Sequence, residues 1–250
     1  MRNTAKERML AGKPAIGVVA ALGSPVAAGL LAGAGFDFVK VDNQHGDWDD
    51  ASSLAAFRSI CLAGCVPMAR VRQNDFYAIG RLLDRGALGI SVPMVESADE
   101  AGAAARAMRY PPAGRRSSAG VLMSHYGASY DQWINDEVFL AVQIEAVCAA
   151  TRAEEILAVD GVDGCWIGPN DLARSMGVNL NSPAGAAEHE AAIMSVLQAC
   201  RTTGKIPGIH TFNLADACRW LERGFLFVTV GADGGLLEEG ARGVLHGLGR

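Results

Sequence analysis

The sequence predicts an α/β protein, a single (β/α)8 (TIM) barrel occupying residues 1–250. Three observations predict it. Eight short runs rich in Val, Ile and Phe recur along the chain with helix-patterned segments between them. The runs are continuously apolar rather than alternating, as expected of parallel strands covered on both faces. No stretch of shifted composition divides the chain into two units. A doubly wound open sheet would share the first two features, but the first strand-to-helix turn, ALGSP, lacks the GxGxxG fingerprint of that fold.

Taken in order, the strands are AIGVVA (15–20), FDFVKV (36–41), VPMARV (66–71), LGISVPMV (88–95), FLAVQIE (139–145), VDGCWIG (162–168), IPGIH (206–210) and FLFVTVG (225–231). Helical spacing of apolar residues fills the gaps, as in DFYAIGRLLDRGA and ADACRWLERGF. Ser97 with Glu100 reads as a capping box, and Asn213 with Asp216 as cap and first turn. The glycines of DRGALG and ERGF close helices before the next strand. One connection is anomalous: residues 110–136 are rich in Gly, Ser and aromatics without periodicity, the composition of a lid or binding loop.

Composition narrows the function. With a net charge of -5 and 22 scattered basic residues, the chain offers no nucleic-acid face and no membrane-binding stripe, so small molecules are the expected partners. The N-terminal segment has neither a signal-type apolar region nor a membrane span, and a cytoplasmic setting is expected. Six cysteines lack the paired spacing of a zinc site and read as small buried hydrophobes. The four tryptophans are too dispersed to stack bases.

In a barrel, chemistry sits where strands end and the following loops begin. Here strand two ends in Asp42 and His45, strand three in Arg70, strand five in Gln143 and Glu145, strand six in Asn170 and Asp171, and strand seven in His210. Each has a dull alternative. Asp171 could be a helix cap, Arg70 a surface charge, Glu145 a solvated strand end, and His210 a satisfied strand end rather than a substrate contact. Together they make a chemistry. Two hard oxygen ligands on neighbouring strand ends suit Mg²⁺ or Mn²⁺ completed by water and substrate. A histidine titrates near neutral pH, and an arginine offers a permanent donor fork. Metal, base and cation together describe enolate chemistry beside a carbonyl.

The same residues carry a resemblance. FDFVKVDNQHGDW, VPMARV, RLLDRGALGISVPMVESADEA, RYPPAGRR, VQIEA and VDGCWIGPNDLARSMG, in that order over roughly residues 10–245, resemble the blocks of the HpcH/HpaI aldolase/citrate lyase family, specifically its class II, metal-dependent pyruvate aldolases. The resemblance implies a barrel whose last helix packs on a partner subunit, in a homo-oligomer that is a hexamer built as a trimer of dimers. It implies that Glu145 and Asp171 hold a divalent ion (Mg²⁺, Mn²⁺ or Co²⁺), and that Gln143, Gly168, Pro169 and Asn170 contact pyruvate or another 2-oxo acid. It further implies His45 as base and Arg70 as transition-state stabiliser. Asp84, which by position alone reads as a helix-surface charge, is expected beside His45 across a subunit boundary, with Asp42 and Gln44 supporting the site. The second substrate is an aldehyde.

Two departures from the family pattern stand out. Gln44 occupies a position usually held by Glu, which removes a negative charge beside the site. After YPPAG, relatives continue R-G-x-G, whereas this chain has Arg115, Arg116, Ser117, Ser118 and Ala119, with less conformational freedom. His125 and Tyr126 in the same loop are either acceptor contacts or structural. Asp233 after strand eight reads as a helix cap rather than part of a phosphate site. Two other functions stay open: a lyase or hydrolase of the same superfamily anchoring acyl-CoA or a phosphonate through Arg115 and Arg116, and a non-catalytic barrel weakened by Gln44.

Overall fold

The computed structural model describes residues 2–118 and 123–250. Eight strands, β1 (Ala15–Ala20), β2 (Phe38–Asp42), β3 (Val66–Arg70), β4 (Gly89–Val92), β5 (Phe139–Ile144), β6 (Gly164–Ile167), β7 (Gly208–Thr211) and β8 (Phe227–Ala232), form a closed barrel in chain order. Every pairing is parallel, including the β1–β8 closure. The expected strands all exist. The fourth is shorter than expected because Pro93 has no N–H for the ladder and Met94 turns to φ 53, outside strand geometry.

Because side chains alternate, Phe38, Lys40 and Asp42 of β2 all point into the barrel and mark three levels within it. The lowest is aromatic: Phe38 stacks on Phe227 at 4.7 Å and Phe139 meets Phe227 edge-on at 5.0 Å. Glycine makes room for these rings, since a Cβ on Gly17 would overlap Phe38 and one on Gly208 would approach Phe227 Cδ1 to 2.7 Å. Below that layer, helix α1 (Thr4–Leu10) closes the N-terminal mouth. Asn3 donates to the carbonyls of Leu88 and Glu137, and Lys6 donates to that of Val138 and pairs with Asp163 at 3.0 Å. Polar groups at this end therefore seal the barrel, leaving the opposite end for chemistry.

The outer ring comprises α2 (Pro25–Gly33), α3 (Asp50–Leu62), α4 (Phe76–Arg85), α5 (Ala98–Met108), α6 (Met123–Tyr126), α7 (Tyr130–Glu137), α8 (Val147–Thr151), α9 (Ala153–Leu157), α10 (Pro169–Met176), α11 (Pro183–Thr203), α12 (Leu214–Arg223) and α13 (Asp233–Gly247). Gly86 and Gly224 end α4 and α12 in left-handed conformations, as the sequence predicts. Asn213 caps α12 by accepting from the Asp216 amide at 2.9 Å. The box at Ser97 is only half formed: Ser97 accepts from the Glu100 amide, but the Glu100 carboxylate reaches one residue further back, to the Glu96 amide.

Three other expectations are corrected. Asp233 does not cap α13. It is buried and accepts from the amides of Ala21 and Leu22, clamping the β8 end to the β1 end where the barrel closes. The segment 110–136 is not an open lid throughout: Asn135 bonds both backbone groups of Tyr110, and Tyr126, Tyr130 and Trp133 stack together, placing Tyr126 in a structural role with the His125 ring against it. Ala119 lies outside the described residues. All six cysteines are free, and although Cys65, Cys165 and Cys200 are buried, Cys148 and Cys218 are exposed.

Candidate active site

At the C-terminal rim a cavity of about 260 Å³ opens above the barrel core. Asp42, His45, Arg70 and Gln143 line one side of it, with the loop from Gly168 to Asp171 adjoining them. Residues distant in sequence thus meet at one mouth, because each follows or ends a strand of the same closed sheet.

Asp42 and Arg70 are the last residues of β2 and β3 and face each other in the sheet register. Arg70 Nε donates to Asp42 Oδ1 at 2.8 Å and Nη2 donates to Oδ2, a two-pronged pair that is almost wholly buried. Asp42 also accepts from the amides of Gln44 at 3.0 Å and His45 at 3.3 Å, which folds residues 43–46 back over the strand end. Burial would raise the Asp42 carboxyl, but the hydrogen bonds and charge of Arg70 and the two amides outweigh it and hold it below the ordinary carboxylate value. Of the five guanidinium N–H groups, three bond no other described residue.

Glu145, one residue beyond β5, is buried. Its Oε1 accepts from the Met94 amide at 2.9 Å and its Oε2 from Gln143 Nε2. Met94 is the one non-glycine residue with positive φ among the described residues, and that conformation aims its N–H at the carboxylate. Asp171 lies in the first turn of α10, half exposed, with an outward contact to Arg174 at 3.2 Å. Burial first, and the Asp171 charge further down, push the Glu145 carboxyl above its ordinary value, against the opposing bonds from Met94 and Gln143.

Two features show that this end is built for a guest. A Cβ on Gly168 would stand 2.9 Å from Glu145 Oε2 and 3.2 Å from Gln143 Nε2, so the backbone approaches the carboxylate as only glycine allows. Gln143 Oε1 is buried with no partner among the described residues, an acceptor left for something the chain does not provide. Two carboxylates and an amide oxygen are hard ligands, and they fit a small divalent cation that keeps open positions for water or substrate. Among the described residues no three His, Cys, Asp or Glu side chains cluster.

His45 is exposed at the cavity edge, and its ring bonds no described residue. Asp84, on α4, accepts from Arg116 Nη2 at 2.8 Å and makes no bond to His45 within the chain among the described residues. Gln44 Oε1 is buried without a partner among the described residues. Sequence reasoning gave no role to four neighbours of the site. His189 on α11 bonds the Pro169 carbonyl at 2.8 Å and fixes the GPND turn. Beneath the rim, Lys40 is wholly buried with Nζ 2.7 Å from the centre of the Trp166 ring, Trp166 Nε1 donates to Thr229 Oγ1 at 3.1 Å, and His210 Nδ1 lies 2.9 Å from the same hydroxyl. Lys40, Trp166 and Thr229 show themselves only through the inward register of β2, β6 and β8 that closure of the sheet sets.

A closed parallel barrel with carboxylates, an imidazole and a paired arginine at the C-terminal ends of its strands is a (β/α)8 enzyme scaffold with an acid–base site. Residues 16–239 match the HpcH/HpaI aldolase/citrate lyase family. Similar curated proteins include the 4-hydroxy-2-oxo-heptane-1,7-dioate aldolase of Klebsiella pneumoniae subsp. pneumoniae, 42% identical over 96% of this chain and 92% of its own length. The protein of the same name from Salmonella heidelberg is 41% identical with the same coverage. Among solved structures, an HpcH/HpaI aldolase/citrate lyase family protein from Burkholderia cenocepacia J2315 superimposes with a TM-score of 0.91 at 32% identity, covering 99% of this chain and 100% of that one. An HpcH/HpaI aldolase from Desulfitobacterium hafniense DCB-2 gives 0.87 at 30% identity, covering 96% and 95%. This chain belongs to the HpcH/HpaI aldolase/citrate lyase family.

Proposed function

We propose that the protein is a class II aldolase, a carbon–carbon lyase that makes or cleaves 4-hydroxy-2-oxo acids by adding the enolate of a 2-oxo acid, pyruvate or a relative, to an aldehyde. Family membership and the activity named for its relatives support this reading. The single observation that carries it is a cavity mouth lined by Arg70, Gln143 and Asp171, with His45 on its edge and Glu145 bonded to Gln143.

Glu145 and Asp171 would hold the divalent ion, Mg²⁺, Mn²⁺ or Co²⁺. When bound it supplies Lewis-acid polarisation of the 2-oxo group. The amides of Asn170 and Asp171, in the first turn of α10, suit the carboxylate of the substrate. Arg70, locked by Asp42, presents its remaining N–H groups to the oxygen that gains charge as the enolate forms. Donors of that kind are worth about 3 to 4 kcal/mol each in other enzymes. His45 takes the proton from C3 of the 2-oxo acid and returns one in the cleavage direction. Asp84 of a neighbouring subunit would stand beside His45 and favour its protonated form.

Exposed Leu237, Val244 and Leu248 on and just beyond α13 support a homo-oligomer in which this helix packs on a partner, with a hexamer as the assembly we propose. Six free thiols, two of them 3.5 Å apart in the core, suit the reducing cytoplasm. Among the described residues no helix is long and apolar enough to cross a membrane. The acyl-CoA reading loses support, because Arg116 is buried against Asp84 and Tyr130 and cannot anchor a phosphate with Arg115.

Deuterium uptake into the methyl group of pyruvate tests the proposal. Chelator-treated protein should exchange no faster than buffer, and Mg²⁺, Mn²⁺ or Co²⁺ should restore exchange. An absence of exchange with every ion refutes the aldolase reading.

A further inference from the structure

The cavity has two unlike halves. The β2, β3, β5 and β6 strand ends supply its charged and amide groups, whereas β1, β7 and β8 contribute Val19, Ala21, Phe212 and Ala232, with a single polar side chain among them, His210. That histidine is not loose. Its ring packs between Trp166 at 5.6 Å and Phe212 at 4.8 Å, and its Nδ1 is 2.9 Å from Thr229 Oγ1.

The hydrogen bonds decide which ring nitrogen carries the proton. An indole N–H can only donate, so Trp166 Nε1 uses Thr229 Oγ1 as an acceptor. The one hydroxyl hydrogen of Thr229 then has His210 Nδ1 as its acceptor among the described residues. With Nδ1 accepting, the neutral ring carries its proton on Nε2, which bonds no described residue and belongs to a side chain lining the cavity. Burial, and then the charges of Lys40 and Arg70, push the His210 pKa down to about 3 against a smaller opposing pull from Asp42, so the ring stays neutral near pH 7. His210 lies near the C-terminal end of β7, half-buried, and lines the same cavity as Arg70.

We infer that His210 is a specificity-determining residue whose Nε2–H hydrogen-bonds an oxygen on C3 of the donor, making a 3-hydroxy-2-oxo acid the preferred nucleophile over pyruvate. The inference rests on the aldolase reading of the site. A pyruvate methyl placed against this fixed donor would displace solvent from it without replacing the hydrogen bond, whereas a C3 hydroxyl satisfies it. Sites that hydrogen-bond a substrate hydroxyl reject analogues lacking it strongly, in contrast to apolar pockets. His210 exchanges no proton in the reaction: His45 still removes the C3 proton, the C3 electron pair forms the enolate, and the hydroxyl oxygen stays attached throughout.

The test compares metal-dependent deuterium exchange at C3 of hydroxypyruvate and of pyruvate, as the ratio of kcat/KM for the two. Wild type should favour hydroxypyruvate by at least about tenfold. His210→Leu should lower that ratio by about tenfold, and His210→Gln, which carries a donor amide at similar reach, should restore part of it. Thr229→Val, which frees Nδ1 from its fixed partner, should lower the ratio less than His210→Leu. A wild-type ratio of one or below, or an equal loss for both donors in both His210 variants, overturns the inference while leaving the aldolase intact. No exchange of either donor by wild type fails the underlying function instead.

Discussion

Replacing Asp42 with Asn removes one charge from a nearly isosteric side chain, and the structure sets what that should cost. Asn Oδ1 can still accept from Arg70 Nε and from the amides of Gln44 and His45, but its Nδ2 would face Arg70 Nη2, donor against donor. The guanidinium, with an 11% exposed side chain, is then a buried charge without its counterion. Breaking such a pair from one side typically costs about 3 to 5 kcal/mol. For a chain of this size that is a fall in Tm of roughly 6 to 20 °C. The pH dependence supplies a signature. The folded-state pKa of Asp42 is depressed below its ordinary 3.8, so its contribution is present above that value and is lost as pH falls through the folded pKa. Urea unfolding should therefore show a constant gap between wild type and Asp42→Asn above about pH 5, narrowing below about pH 4. The double variant Asp42→Asn/Arg70→Met should recover much of the loss by removing the stranded charge. A gap under about 1 kcal/mol at pH 7, the scale of an exposed ion pair, or one that widens in acid, refutes this account of the pair.

Other substitutions probe neighbouring parts of the site. Gly168→Ala places a methyl 2.9 Å from Glu145 Oε2, so pyruvate exchange should fall at least about tenfold, a loss expected when ligand orientation is disturbed, and calorimetric Mn²⁺ affinity should weaken. Lys40→Met removes a buried amine that lacks a hydrogen-bond partner among the described residues and should stabilise the fold by about 1 to 3 kcal/mol in chemical unfolding. Burial and the Arg70 charge lower the Lys40 pKa in the fold, so wild type regains stability as pH rises toward 10, and the advantage of Lys40→Met should shrink over that range. If Asp84 serves His45 across a boundary, turnover per chain should fall as dilution separates subunits, with sedimentation velocity reporting the dissociation; constant turnover through dissociation removes that role.

The sequence made the barrel legible because parallel strands buried on both faces advertise themselves as apolar runs, and the rim residues because a strand end fixes where a side chain must lie. The same property hid what lies beneath. A continuously apolar strand gives no alternation to separate inward from outward positions, so Lys40, Trp166 and Thr229 merged into the background of their runs. Trp166 and Thr229 are 63 positions apart, and only closure of the sheet makes them partners. His210 was visible as a rim residue but its role was not, since the tautomer depends on that hidden pair. Met94 escaped because nothing in VPMVES signals a left-handed residue; its conformation answers to Glu145, 51 positions away. Asp233 looked like a cap because it begins a helix, and its bonds to Ala21 and Leu22 exist only where β8 meets β1.

The most direct measurement is anomalous diffraction from crystals soaked with Mn²⁺ and pyruvate. A manganese peak within about 2.0 to 2.3 Å of both Glu145 and Asp171 oxygens, with His45 facing C3 of the bound acid, is the predicted result. Manganese elsewhere, or pyruvate bound with those carboxylates turned from each other, contradicts it.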